Sequence, residues 1–206
     1  VDASQTLGAA FVKAAIRGVH EPRAQHAELR RSAARHLPRE EAHRVGGGTY
    51  GGAPEKAYVK AFEMDFCDVG YARDATGMMA AMVSAALSGG IGAREMVRVG
   101  LETNPFGYGD PMFGGRVMAD RVKAFLQLAS EAEDDRALVQ ALAREVAHLH
   151  PYDPIDVLGV PMAAMYASDG DGARSITIAA NDRYLDERGD LRQLRDVDCT
   201  ASVAGA

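Results

Sequence analysis

The segment Asp74-Ala75-Thr76-Gly77-Met78-Met79-Ala80-Ala81-Met82-Val83-Ser84-Ala85-Ala86-Leu87 contains a single charged residue, Asp74. Alanine and methionine favour the helix. Small and apolar residues occupy nearly every side of a helix drawn through it, so that helix is expected to be central and tightly packed. Gly89 and Gly90 end it. Outward from this centre, helices are expected over residues 54–66, with Pro54 at the start, and over 93–101 as a short amphipathic piece. Residues 104–115 are rich in Gly and Pro and read as a loop. Helices follow over 116–130 and 134–149, the latter with Asp134 and Asp135 in its favourable first turn. A further pair is expected over 154–167 and 172–181. Residues 182–194 are polar and read as a surface excursion, and 197–206 as an apolar helix behind an acidic pair.

Toward the start of the chain, 4–17 and 21–36 read as helices, the second heavily charged. The run Gly46-Gly47-Gly48-Thr49-Tyr50-Gly51-Gly52 lacks the flanking strand and the Lys-Ser/Thr of a phosphate-binding loop, and reads as a connector. No segment sustains an alternation of period two. The one strand-like stretch, 175–180, sits in a helical context. The expected fold is all-α, a single domain over residues 1–206.

Composition agrees with this. Apolar residues make up 47% and charged residues 25%, an ordinary globular balance, while aromatics are 6% with no Trp, so Ala, Leu, Met and Val must fill the core. The formal net charge of −6 argues against a general nucleic-acid binder, which needs a basic face. No apolar run approaches the roughly 20 residues of a membrane span. Cys67 and Cys199 are expected as reduced thiols of a cytoplasmic protein, with no disulfide between them. The chain starts at Val1 rather than Met and stops inside a small-residue run, so a fragment cut at both ends is expected.

The chemistry-bearing stretch is Arg195-Asp196-Val197-Asp198-Cys199-Thr200, at the start of the last apolar helix. Two carboxylates one residue apart can converge on a hard cation, with neighbouring Ser, Thr or Cys groups as further ligands. Acidic residues also cap helices and suit the positive end of the helix dipole. Spacing alone leaves both readings open. His148 and His150 suit the negative end of the preceding helix. Arg73-Asp74 reads as a local pair or cap. Tyr108 could stack on an adenine or simply line an exposed loop.

Ile176-Thr177-Ile178-Ala179-Ala180-Asn181, then Arg195-Asp196-Val197-Asp198-Cys199, then Ala201-Ser202-Val203-Ala204-Gly205-Ala206 resemble the C-terminal part of the ADP-ribosylglycohydrolase family. There an Ala/Val-Asn segment leads to Asp-x-Asp-(Ser/Thr/Cys) and a small-residue helix. The Gly-Met-Met-Ala-Ala-Met run at 77–82 resembles that family's central helix. Val1-Asp2-Ala3-Ser4 stands where the family has Thr-Asp-Asp-Thr. The resemblance implies hydrolysis of the glycosidic bond between ADP-ribose and a modified side chain, in a protein or in an ADP-ribose-containing small molecule. It implies Mg²⁺, two ions in the family, with Asp2, Asp196, Asp198 and Cys199 at the metal and Asp2 and Asp196 in the catalytic roles. Val1 and Ala3 depart from the family's ligands, and Cys199 replaces an oxygen donor. Two other readings follow from these departures: a homologue that binds ADP-ribose or a related nucleotide without turnover, and a purely structural helical module.

Overall fold

The computed structural model describes residues 50–64, 70–108, 115–150, 152–186 and 188–205, apart from the side chain of Met64. The helices expected over 4–17 and 21–36, together with Asp2 and Cys67, lie outside these residues. Among the described residues there are eight helices and one two-stranded hairpin, in the order α1 (Pro54–Met64), α2 (Tyr71–Leu87), α3 (Ala93–Glu102), α4 (Val117–Glu131), α5 (Asp135–Val146), α6 (Pro154–Ser168), α7 (Gly172–Ala179), β1 (Arg183–Leu185), β2 (Leu191–Leu194) and α8 (Val197–Ala204). The architecture is all-α, with the hairpin as its one β element among the described residues. No described helix is long and apolar enough to cross a membrane.

Two helices organise the core. Helix α2 buries Met78, Met79, Ala81 and Met82, as its composition requires, and packs on α1, α3 and α4. It starts at Tyr71, three residues before the expected Asp74, behind Gly70 with φ of 61°. Helix α6 is the hub: it packs against α2, α3, α4, α5, α7 and α8. Being covered on all sides, it is apolar all round and buries eleven of its fifteen residues, including Asp156 in its first turn.

Close approach between helices depends on two glycines. A Cβ on Gly77 would lie 2.5 Å from the Tyr58 ring of α1, and one on Gly159 would lie 2.7 Å from the Phe125 ring of α4. Both rings are fully buried, so they have no space into which to retreat.

Residues 182–194, expected as a surface excursion, are half-buried or exposed where described, apart from Asp182, and they take a regular form there. They fold into an antiparallel hairpin that pairs Arg183 with Leu194 and Leu185 with Leu191, with an irregular register between. The ladder extends one step past the strands, because Arg195 N–H donates to the Asp182 carbonyl at 3.1 Å. The hairpin therefore starts and ends on two buried charged residues, Asp182 and Arg195. The strand-like stretch at 175–180 falls in α7 and its C-cap, and the helix buries Ser175, Ile178 and Ala179 on one face.

Candidate metal centre

Helix α8 begins after Asp196 and carries Asp198 in its first turn. It is fixed from behind. Val203 and Ala204 reach the core, and the buried Thr200 hydroxyl donates to the Ala179 carbonyl of α7 at 3.1 Å. One ligand atom each from Asp196, Asp198 and Cys199 lie within 4.8 Å of one another, the one such group among the described residues. Asp196 is half-buried, Asp198 exposed and Cys199 buried. Cys199 is in no disulfide.

Asp196 is an aspartate at an N-cap that does not cap. Helices α5, α6 and α7 also follow an aspartate, and in each its side chain accepts a backbone N–H of the first turn: Asp134 from Ala137 at 2.7 Å, Asp153 from Ile155 at 2.9 Å and Asp171 from Arg174 at 3.0 Å. Asp196 makes no such bond. Its carboxyl is turned to its neighbours instead. Partial burial pushes its pKa up to about 6; the Cys199 side chain hydrogen-bonds it and opposes that rise, while the nearby Asp198 carboxylate adds to it. Two adjacent carboxylates with no basic side chain bonded to either among the described residues attract a cation or retain protons.

Mg²⁺ holds oxygens at about 2.0–2.1 Å, so two that flank it stand at most about 4.2 Å apart; the ligand atoms here lie within 4.8 Å of one another, and a small turn of the exposed Asp198 side chain would bring the two carboxylates onto one ion. Mg²⁺ takes few protein carboxylates and keeps several waters, which suits an exposed Asp198 beside a half-buried Asp196. The buried sulfur of Cys199 does not suit so hard an ion. Its thiol fits better as a partner of Asp196 than as a ligand.

Behind this centre lies a second cluster that sequence reading missed. Arg195, directly before Asp196, is fully buried. Its Nε donates to Asp156 Oδ2 at 2.8 Å and its Nη2 to the Leu149 carbonyl at 3.1 Å, and its guanidinium lies 4.8 Å from the centre of the Tyr184 ring. The Asp182 carboxyl is also buried, 3.8 Å from Arg195 Nε. Asp182 is poorly satisfied, with only the backbone of Arg183 and the Asp156 carboxyl near enough to act on it as hydrogen-bond partners, and Arg195 Nη1 is buried without a partner. One guanidinium faces two carboxyls, so the cluster would carry a net negative charge if both ionised. A single proton removes that charge and lets one carboxyl donate to the other. Desolvation, followed by the Asp156 charge, pushes Asp182 up to about 8. Desolvation also raises Asp156, and Arg195 opposes the rise.

Asp74 does not pair with Arg73. It accepts from Arg116 Nη2 at 2.8 Å and from the Tyr58 hydroxyl at 2.5 Å, while Arg73 lies over the Phe62 ring at 4.0 Å. Tyr108 packs against Phe62 and Phe106 in an aromatic group that includes Tyr58. His148 and His150 lie past the end of α5, and His150 packs against Tyr152. Asp2 lies outside the described residues, so among those described Asp196 and Asp198 remain as the candidate ligands, with Cys199 beside them as a partner of Asp196.

Comparison of the chain with protein-family models, with curated proteins and with solved structures gives no match.

Proposed function

We propose that this chain is an ADP-ribosylglycohydrolase-type hydrolase domain, cleaving the glycosidic bond between ADP-ribose and a modified protein side chain with Mg²⁺ at the start of α8, in the cytoplasm. The observation that carries the reading is the Asp196 carboxyl, which leaves its own helix uncapped and lies with Asp198 within the reach of one ion. The sequence from Ile176 to Ala206 supplies the rest, through its resemblance to that family. Asp196 and Asp198 hold the cation, and Asp196 also takes the proton of the attacking water. Bound there, a divalent cation supplies a Lewis acid that orients the ribose hydroxyls and activates water. Asp2 is assigned the remaining ligand role by the same resemblance.

The test uses a protein bearing Arg- or Ser-linked ADP-ribose, incubated with the chain and Mg²⁺, with released ADP-ribose measured by chromatography. Release is expected, with loss on adding EDTA and in Asp198→Ala. Release that survives both treatments overturns the metal assignment. Val1 and Ala3, where the family carries Thr and Asp, favour a second reading: an ADP-ribose binder without turnover. Calorimetric binding of ADP-ribose with no release from the modified protein would select it.

A further inference from the structure

We propose that Asp156 is a positioning residue for the Asp196–Asp198 centre, acting through the buried side chain of Arg195. The inference rests on the metal-binding reading above and adds what holds that centre in register.

The Asp196 side chain has no bond to the backbone of its helix, so the placement of its carboxyl depends on where its main chain is held. That main chain follows directly from Arg195, which is tied down from three directions. Its N–H reaches the Asp182 carbonyl at the other end of the hairpin. Its Nη2 reaches Leu149, in the connection between α5 and α6. Its Nε reaches Asp156 on α6, the helix against which α8 packs. Asp156 supplies the one bond among the three in which both partners carry charge, and ion-paired bonds of this kind are shorter and stronger than neutral ones. Partners in the layer behind a metal ligand fix its orientation, and losing one typically costs 10–100-fold in metal affinity.

The geometry also says what happens when that bond is removed. Arg195 Nε stands 2.8 Å from Asp156 and 3.8 Å from Asp182. With Asp156 neutralised, Asp182 becomes the one carboxylate beside a buried guanidinium, and Arg195 shifts toward it. Charge is still balanced, so the domain keeps its fold. The main chain at Arg195 moves with its side chain, and Asp196 moves with it. A purely structural Asp156 would lower stability and leave the metal affinity of the folded protein unchanged.

The test is Mn²⁺ binding, read from loss of the free-ion signal in electron paramagnetic resonance, alongside thermal unfolding without metal. Asp156→Asn is expected to weaken Mn²⁺ binding ten- to a hundred-fold. Asp182→Asn, which leaves the Asp156–Arg195 bond in place, is expected to stay within about twofold of the parent, the bond that positions Asp196 being kept. Asp198→Ala is expected to abolish binding. If Asp156→Asn fails to fold, Arg195→Lys replaces it: lysine keeps the charge but cannot reach Asp156 and Leu149 together, and the same loss is expected. Binding lost in Asp198→Ala but unchanged in Asp156→Asn, or in its substitute Arg195→Lys, overturns the positioning role alone. Binding that survives Asp198→Ala overturns the metal reading and the positioning role together.

Discussion

The domain buries two Asp–Arg pairs, each with its aspartate in the first turn of a core helix, and they are built to opposite rules. In the first, Asp74 of α2 accepts from Nε and Nη2 of Arg116 and from the Tyr58 hydroxyl, while Arg116 spends its other donors on the carbonyls of Leu101 and Thr103. No buried nitrogen or oxygen of Asp74 or Arg116 is left over. In the second, Arg195 faces two carboxyls, and its Nη1 is buried without a partner. Charge matched one to one with every guanidinium nitrogen bonded makes a rigid joint. Charge matched two to one leaves an arginine with an alternative partner, and that cluster is covalently next to Asp196.

The sharpest way to break the comparison is to neutralise each aspartate. Asp74→Asn strands Arg116 without any anion, and is expected to destabilise the domain by about 3–5 kcal/mol. Asp156→Asn leaves Asp182 to balance Arg195, and is expected to cost less than about half of that. Urea unfolding of the two variants at one pH measures the difference. Equal losses would mean that Asp182 is no reserve.

A smaller effect follows from the surplus carboxyl. Its pKa is raised from 3.8 to about 8 in the folded chain, so between those values the folded state binds more protons than the unfolded state does. The stability that this proton contributes is present at low pH and is lost as pH rises toward 8. Asp182→Asn removes that slope. At pH 8.5 the variant is expected to be more stable than the parent by roughly 1–3 kcal/mol, the usual range for relieving an unsatisfied buried group. At pH 5 the gain should be clearly smaller, and the two should converge only as pH falls below 3.8, where both states are protonated. Urea unfolding at both pH values gives the comparison, and a gain of equal size at pH 5 would contradict a shared proton.

The smallest test concerns helix starts. Asp134→Ala deletes a capping bond and is expected to cost about 1 kcal/mol. Asp196→Ala deletes no capping bond, and without metal it is expected to cost nothing or to stabilise slightly, because a carboxyl beside Asp198 is removed. A loss at Asp196 equal to that at Asp134 would restore capping as the whole reason for that residue.

The same contrast explains what the sequence disclosed. Helix α2 was legible because Met and Ala on all sides leave a helix no choice but burial, and Met78 and Met82 are buried. The hairpin was not legible, because β1 is half-buried throughout and β2 reads Leu-Arg-Gln-Leu, so neither strand alternates. Asp196 and Asp198 were marked by their spacing and their place before an apolar helix. Asp156 was not, since an acid in a first turn looks like a complement to the helix dipole. Its partner is 39 residues away, and only the folded chain brings them together. Asp182 lay hidden within a polar run that seemed bound for solvent.

The hairpin's tip closes on itself. Asp186 accepts from the backbone of Arg188 and Asp190 and from Arg192 Nε, and its own N–H reaches the Asp190 carbonyl. Arg188 and Asp190 face solvent, so the turn takes little from the core beneath it. The strands lead from this outer turn straight to Asp182 and Arg195. A fluorophore or peptide cargo spliced in at Gly189 would therefore sit on an outer turn whose two strands end on the buried cluster.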